Sequence, residues 1–157
     1  MNIVFDLDGV LVDVKEYAEL YLGEKKDWKS YFAHTLDFKP IEPMVELVRT
    51  FMSGQGYHKI YFATGRPESN RELTEVWLRG LVLRGRFLHN SFLLMRANND
   101  SRSAVDLKLE YFEEAKADLI FEDDPSVVEA ALKKGYLVVQ VHGNRYNRTD
   151  LILPTGG

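Results

Sequence analysis

The sequence contains no cysteine, so neither a disulfide nor a thiolate metal site can form within it. No apolar run approaches the roughly 20 residues that a membrane-spanning helix requires. No basic segment precedes an apolar one at the start, and we therefore expect no secretory signal peptide. Together these absences predict a protein of a reducing cytoplasm that has no membrane partner.

The sequence also lacks an excess of positive charge, because its formal net charge is −4. General coating of nucleic acid through electrostatic attraction is therefore disfavoured. The charge is nonetheless uneven, since no carboxylate lies between residues 76 and 99, a stretch that contains Arg79, Arg84, Arg86 and Arg96. Such a run is ordinarily a solvated face, but it can also flank a site for an anionic substrate.

The order of predicted elements indicates the fold class. Apolar, β-branched runs predict five strands near residues 3–5, 59–63, 92–95, 119–121 and 137–141, with amphipathic helices between them. This alternation predicts an α/β fold, a Rossmann-like three-layer sandwich with a mainly parallel five-stranded sheet. The length of 157 residues suits one domain, residues 1–157, with a small helical insertion at about 14–40 after the first strand.

The predicted insertion is rich in aromatic residues. A first helix is predicted over residues 14–21, and Trp28, Tyr31 and Phe32 then follow at i, i+3 and i+4. This spacing favours a helix that packs on the core, and an aromatic lid over the site is the alternative. A later helix, predicted over residues 68–83, directs four side chains inward: Leu73, Val76, Trp77 and Leu81.

Two carboxylates follow the first strand, at Asp6 and Asp8, with Gly9 as the turn residue. Side chains two apart on a strand point the same way, so both carboxylates would face one small space. Like charges that close are costly unless a cation or proton lies between them, and Mg²⁺ suits such oxygen ligands. One Asp could then attack phosphorus while the other shuttles a proton. The alternative is a solvated acidic turn, whereas a calcium loop is disfavoured because Leu11 and Val12 follow.

Polar groups also end two later strands. Thr64 and Gly65 follow the second strand, where a hydroxyl and backbone N–H groups can bind an anion, and Arg66 adds a guanidinium fork for phosphate. An ordinary turn capped by Thr64 is the alternative. Three acidic residues follow the fourth strand: Glu122, Asp123 and Asp124. They either belong to the functional site or stabilise the N-terminus of the next helix, where the helix dipole favours negative charge. Ligands bind at the carboxyl ends of parallel strands, so we expect these groups to lie together.

These motifs resemble those of the haloacid dehalogenase (HAD) superfamily, which consists mostly of Mg-dependent phosphotransferases. The strand ending in Asp6-Leu7-Asp8-Gly9-Val10 resembles its first motif, and Thr64, Lys108 and Glu122-Asp123 match the later ones in order. On pattern alone, Lys108 would be a surface residue whose aliphatic stem covers the helix.

A narrower resemblance is to the phosphatase domain of phage polynucleotide kinase-phosphatases. It rests on Thr64-Gly65-Arg66-Pro67, Leu94-Met95-Arg96 and Asp100-Ser101-Arg102, with Lys108 at the expected distance. The chain departs from the usual Asp-x-Arg-x-Asp at Ala104, which bears on substrate handling rather than on the core chemistry. No Gly-x-x-x-x-Gly-Lys-Ser/Thr stretch occurs, so the sequence does not contain the kinase half.

The resemblance implies a role for each residue. Asp6 attacks phosphorus and becomes an aspartyl-phosphate, while Asp8 protonates the leaving oxygen and later deprotonates water. Mg²⁺ is held by Asp6, the Asp8 backbone carbonyl and Asp123, for which Asp124 is the less favoured substitute. Glu122 orients Lys108. The groups expected to bind the phosphoryl oxygens or other parts of the substrate are Thr64, Lys108, Gly65, Arg66, Arg96 and Arg102.

Three functions are compatible with this pattern. The first is a polynucleotide 3′-phosphatase for nucleic-acid end repair in the cytoplasm of a bacterial or phage-infected cell, and the second is a phosphatase of small nucleotides or other metabolites. The third, a non-catalytic binding module, is disfavoured because the catalytic residues are intact. The arginine-rich stretch and the small insertion favour an open site for a nucleic-acid 3′ end, because the 43 residues from Val14 to Gly56 leave no room for a large cap.

Overall fold

The structure, a computed structural model, describes residues 1–22, 24–84 and 91–142. One parallel sheet has the strand order β3-β2-β1-β4-β5. Its strands are β1 Asn2–Asp6, β2 Lys59–Pro67, β3 Ser91–Arg96, β4 Leu119–Glu122 and β5 Val138–Gln140. The α-helices are α1 Glu19–Leu22, α2 Trp28–Ala33, α3 Glu42–Ser53, α4 Arg71–Trp77, α5 Ala104–Glu114 and α6 Pro125–Lys133. The predicted α/β fold with a parallel five-stranded sheet is confirmed.

The sheet is covered on both faces, which explains why its strands are almost uniformly apolar. Along β1, Ile3 and Phe5 point into one core, which also contains Val45 of α3. Val4 points the other way, into a second core with Leu107 of α5. The period of two along the strand thus divides one apolar run between two helical layers.

The segment after β1 leaves the sheet and returns to the same place. Asp13 donates its backbone N–H to the carbonyl of Lys39 at 2.8 Å, and Ile41 donates to that of Leu11 at 2.7 Å. Between these hydrogen bonds lie α1, α2 and a 3₁₀ turn, Thr35–Asp37. The helix expected over residues 14–21 is mostly turn, because hydrogen bonds such as Ala18 N–H to the Lys15 carbonyl span three residues rather than four.

The helix expected over residues 68–83 is also less regular than the sequence suggested. It begins as a 3₁₀ turn, Glu68–Asn70, continues as α4, and ends as a π-helical turn, Leu78–Val82. Val76 of α4 is 49% exposed, and the change in helical period after Trp77 turns Leu81 outward, where it is 38% exposed. The inward orientation predicted for these two side chains is therefore wrong, whereas Trp77 is buried as expected.

The remaining sequence predictions concern the membrane and the chain beyond β5. Within residues 1–22, 24–84 and 91–142, no helix is both long and apolar enough to span a bilayer. Arg86 of the arginine-rich stretch lies outside the described residues, as does the tail after His142.

Candidate active site

The carboxyl ends of the strands open into one cavity of about 510 Å³. This is the edge of the sheet at which a parallel α/β fold places its ligands. Most of the residues singled out by the sequence line this cavity: Asp6, Asp8, Gly65, Arg66, Arg96, Lys108, Glu122, Asp123 and Asp124. Thr64 is buried beside it, with its hydroxyl accepting the Arg66 backbone N–H at 3.2 Å.

Lys108 lies at the centre of the site, not on the surface that its helical position suggested. Helix α5 begins after Ser103, whose side chain accepts the backbone N–H of Asp106 and caps the helix. One turn later the Lys108 ammonium is 2.6 Å from Asp6 Oδ1 and 2.9 Å from Glu122 Oε2. The side chain is only 4% exposed, so these contacts are shielded from solvent.

Burial and charge together set the protonation of this cluster. Burial, followed by the nearby charge of Glu122, raises the pKa of Asp6 well above its usual value. Burial alone would also raise the pKa of Glu122, but the Lys108 ammonium lowers it. Burial opposes the charged form of Lys108, yet Asp6 and Glu122 raise its pKa and keep the ammonium protonated. Two buried carboxyl groups thus share one ammonium, and a further cation would relieve the repulsion that raises the pKa of Asp6.

A divalent cation fits this cluster of carboxyl groups. Carboxylate oxygens of Asp6, Glu122 and Asp123 lie within 4.8 Å of one another, and all three residues are buried. Both carboxylate oxygens of Glu122 accept hydrogen bonds within the chain. Oε1 accepts them from the backbone N–H groups of Asp123 and Asp124 at 3.0 and 3.1 Å, and Oε2 accepts one from the Lys108 ammonium. Asp6 and Asp123 are therefore the carboxylates better placed to coordinate a hard cation through oxygen.

Asp8 faces a different set of partners. Arg66 donates from Nε to Asp8 Oδ2 at 2.9 Å and from Nη2 to Oδ1 at 2.7 Å, a bidentate pair. The Tyr31 hydroxyl of α2 donates to Asp8 Oδ1 at 2.9 Å. Burial would raise the pKa of Asp8, but the Arg66 charge and these hydrogen bonds hold it below its usual value. The two carboxylates of the first motif thus have opposite electrostatic environments.

Arg66 lines the cavity at the strand ends, where the sequence placed it, but its pairing with Asp8 was not predicted. Its side chain is 1% exposed, and its guanidinium lies 5.3 Å from the Phe38 ring and donates to Thr74 at 3.3 Å. The guanidinium that was expected to bind phosphate is therefore directed to Asp8. We expect no contact between Arg66 and phosphates further along a polymer.

The other two candidate arginines also have partners within the chain. Arg96 donates to the Gly65 carbonyl at 3.1 Å and to the Arg102 carbonyl at 2.7 Å, and so supports the loop beside the cavity. Arg102 is 44% exposed and pairs with Asp100 at 2.7 Å and with Glu110. Arg96, the last residue of β3, lines the cavity, whereas Arg102 is not a lining residue but lies in sequence between two that are, Asp100 and Ala104.

Tyr31 is a site residue that the sequence analysis assigned to core packing. Its ring is buried, as that interpretation expected, but its hydroxyl binds Asp8. The available signal was the position of three aromatic residues at helical spacing directly after the first motif. That pattern named the right segment but could not distinguish a core contact from a contact with a carboxylate 23 residues away.

Gly9 shows how tightly the loop after β1 packs against the acidic cluster. It has a φ of +88°, and a Cβ built there would lie 2.1 Å from Asp123 Oδ2. Gly9→Ala is expected to displace Asp123 and to lower turnover about 100-fold, because ångström-scale misplacement of catalytic groups has effects of that order. Steady-state phosphatase kinetics check this result.

Gly80→Ala is a matched control for Gly9→Ala, because a Cβ at Gly80 meets nothing within 4 Å. This variant should retain wild-type turnover and a wild-type unfolding midpoint. Equal activity of the two alanine variants would show that the loop after β1 does not fix the position of Asp123.

Comparisons with known proteins agree with this geometry. Residues 1–146 match the family described as the polynucleotide kinase PNKP phosphatase domain. A solved Pnkp1/Rnl/Hen1 complex aligns with a TM-score of 0.66 and 22% identity, over 92% of this chain and 47% of that chain. This chain therefore spans about half the length of that relative. No protein with a curated description matches the sequence.

Two further solved structures share the fold. A class C acid phosphatase from Bacillus anthracis with tungstate bound has a TM-score of 0.64 and 14% identity, with coverage of 92% of this chain and 67% of that one. A HAD family enzyme from Bacteroides thetaiotaomicron, in complex with magnesium and inorganic phosphate, has a TM-score of 0.50 and 12% identity, with coverage of 97% and 98%. At such low identity these likenesses establish the HAD-like fold.

Proposed function

We propose that this chain, which belongs to the family of polynucleotide kinase PNKP phosphatase domains, is a Mg²⁺-dependent polynucleotide 3′-phosphatase that works through an aspartyl-phosphate. The observation that carries the proposal is the buried contact of Lys108 with Asp6, next to Asp123, at the carboxyl edge of the sheet. A buried carboxylate with an ammonium on one side and an acidic metal-binding group on the other suits attack on a phosphate ester.

The first half-reaction transfers the phosphoryl group to the protein. Asp6 Oδ2 is the oxygen better placed to attack, because Oδ1 accepts the Lys108 ammonium at 2.6 Å. A bond forms between this oxygen and phosphorus as the bond to the sugar oxygen breaks, and Asp8 gives its proton to that oxygen. When Mg²⁺ is bound by Asp6, the Asp8 backbone carbonyl and Asp123, its charge offsets that of the phosphate. Thr64 and Lys108 hold the phosphoryl oxygens as negative charge shifts among them.

The second half-reaction releases phosphate. Asp8 takes a proton from water, the resulting hydroxide attacks phosphorus, and the bond to Asp6 breaks to regenerate the carboxylate. The ionised state that Arg66 and Tyr31 stabilise in Asp8 suits this step. In the first half-reaction Asp8 must instead carry a proton. The hydrogen bonds between Arg66 and Asp8 must therefore weaken, and they can do so when the substrate phosphate binds the guanidinium in place of Asp8.

A polymer end is favoured over a small metabolite by the family match and by the small size of the insertion. Among its described residues, the segment between Asp13 and Lys39 contains two short α-helices and a 3₁₀ turn, which is too little structure for a large cap domain over the cavity. Arg102, which pairs with the lining residue Asp100, is exposed enough to exchange that partner for a backbone phosphate of the substrate. A phosphatase of small nucleotides is the alternative that the experiment distinguishes.

The test compares phosphate release from three substrates at equal concentration. These are a 3′-phosphorylated oligonucleotide, the same oligonucleotide phosphorylated at its 5′ end, and a nucleoside 3′-monophosphate. We expect the highest kcat/KM for the 3′-phosphorylated oligonucleotide. Equal or higher values for the mononucleotide would favour the small-nucleotide alternative, and no release from any of them would contradict the proposal.

Metal removal provides an independent prediction. Treatment with EDTA should reduce turnover to background, because Asp6 and Asp123 then repel the incoming phosphate without a compensating cation. Addition of excess Mg²⁺ should restore the original rate, and excess Ca²⁺ at the same concentration serves as a control for general charge screening. Full activity after chelation would rule out the metal-dependent mechanism.

A further inference from the structure

The cavity has an aromatic wall opposite its acidic one. Tyr21, Trp28 and Phe32, all in the insertion, line the cavity that Asp6 and Asp8 also line. Their rings are nearly parallel: the Tyr21 and Trp28 centroids are 6.1 Å apart with planes 9° apart, and those of Trp28 and Phe32 are 5.9 Å apart with planes 18° apart. We call these three residues the aromatic wall.

Packing of the core does not account for the central ring of this wall. Trp28 is 44% exposed and belongs to neither hydrophobic core, whereas Tyr21 and Phe32 are half-buried and pack against one of them. The other tryptophan, Trp77, is buried and donates its indole N–H to the Phe38 carbonyl at 2.8 Å. The Trp28 ring contacts the core residue Tyr31 edge-on at 5.7 Å, but much of its surface remains exposed and lines the same cavity as Asp6 and Asp8.

Positive charge lies beside the aromatic wall. The Lys26 ammonium is 5.8 Å from the Trp28 ring centroid, and Lys25 and Lys29 are exposed on the same segment. Flat aromatic rings with flanking cations are the combination by which proteins bind single-stranded nucleic acid, since bases stack on the rings and the cations meet the backbone. The long Lys26 side chain can exchange its contact with the ring for a phosphate of the strand.

We propose that the aromatic wall stacks the unpaired nucleobase of the 3′-terminal nucleotide while its phosphate lies at Asp6. This inference rests on the proposed function and specifies its substrate as a single-stranded 3′ end. The cavity of about 510 Å³ lies within the usual range for small-ligand sites, and stacking on Trp28 requires a base whose face is not covered by a neighbouring base. Stacking uses the face of the base, so the wall accepts all four bases with little preference.

Fluorescence tests the stacking without requiring turnover. The chain has two tryptophans, one exposed in the wall and one buried, so quenching by a stacked base reports on Trp28. In the Asp6→Asn protein, titration with a 3′-phosphorylated dinucleotide should quench the tryptophan emission. Titration with a 3′-phosphorylated dinucleotide that has an abasic ribose analogue as its terminal residue should not. Trp28→Phe in the same background should remove the quenching. Identical responses to the two ligands would overturn the proposal.

Kinetics test the contribution of the wall to substrate selection. Trp28→Ala should raise KM for the 3′-phosphorylated dinucleotide about tenfold, which is the size of one lost base–aromatic stack. The abasic substrate should show the same KM with wild type and Trp28→Ala, and Trp28→Phe should restore most of the affinity for the base-bearing one. Tyr57→Ala is the matched control, since Tyr57 is 95% exposed and lies outside the cavity.

The two proposals fail in different ways. Trp28→Ala could raise KM equally for the base-bearing and the abasic substrate, with the unfolding midpoint unchanged. That result would overturn the proposal that the aromatic wall stacks a base, but it would leave the proposed phosphatase activity intact. Base-dependent quenching in a protein whose wild type releases no phosphate would support the wall and contradict the proposed reaction.

Discussion

Asp6→Asn is expected to abolish phosphate release, by roughly 10⁴-fold or more, while the protein remains folded. The amide has nearly the shape of the carboxylate and can still accept the Lys108 hydrogen bond, but it cannot form the covalent intermediate. Its neutrality also relieves repulsion from Glu122, one of the causes that raise the pKa of Asp6. The unfolding midpoint should therefore be no lower than that of wild type in metal-free buffer.

Asp37→Asn is the matched control, because this side chain lies in the insertion and is 64% exposed. It should retain wild-type kinetics on the 3′-phosphorylated oligonucleotide. Single-turnover and steady-state assays of the two variants check the prediction, with circular dichroism to establish that both are folded. Wild-type turnover by a folded Asp6→Asn protein would contradict the covalent mechanism.

The second large effect is expected at Lys108. Lys108→Ala removes the ammonium that contacts Asp6 and Glu122, and we expect kcat to fall by about 10²- to 10³-fold, as for loss of one electrostatic contact in a transition state. Lys108→Arg should lose most activity too. The charge is kept, but a planar guanidinium does not fit the space that a compact ammonium fills between two buried carboxylates.

Metal affinity separates this role from a general loss of structure. Lys108→Ala should bind Mg²⁺ at least as tightly as wild type in calorimetric titration, because a competing cation has left the acidic cluster. Lys133→Ala is the control, since this lysine of α6 is 73% exposed and pairs with Glu129. Weaker Mg²⁺ binding by a folded Lys108→Ala protein, or full activity of Lys108→Arg, would contradict the account.

The sequence was sufficient for the fold and for the location of the site. Strand–helix alternation determines a parallel sheet, and a parallel sheet brings the ends of its strands to one edge. Asp6 is the last residue of β1 and Asp8 lies in the turn that follows, and the acids at the end of β4 fall at the same edge because β1 and β4 are neighbours. These conclusions need only short-range patterns and topology.

The pairing of side chains within the site could not be predicted in this way. Lys108 has the spacing of a surface residue on α5, and only the resemblance to HAD proteins directed attention to it. Arg66 and Asp8 are 58 residues apart, and whether the guanidinium turns toward Asp8 or toward solvent depends on packing against Phe38 and Thr74. Such choices depend on burial and on long-range contacts, which periodicity does not encode.

Irregular backbone geometry also made two local predictions, of a helix face and of a turn, inaccurate. The π-helical turn after α4 shifts the helical phase, so Leu81 faces outward although its spacing suits an inward face. The extension of β2 to Pro67 likewise includes a register shift between Ala63 and Pro67, at the position that the sequence predicted as a turn. Both departures lie in the segment that positions Thr64 and Arg66.

Detection of the phosphoryl group on Asp6 is the most direct test of the central claim. Acid quenching during turnover of a 3′-phosphorylated oligonucleotide, followed by peptide mass spectrometry, should find one phosphoryl group on the peptide that contains Asp6. With a substrate whose leaving group needs no general acid, such as p-nitrophenyl phosphate, Asp8→Asn should increase the amount of this phosphoryl group, because the group that activates water for the second half-reaction is lost. Asp6→Asn should show none. Phosphate release by the wild-type protein without any phosphoryl group on Asp6, under conditions in which Asp8→Asn also accumulates none, would contradict the mechanism.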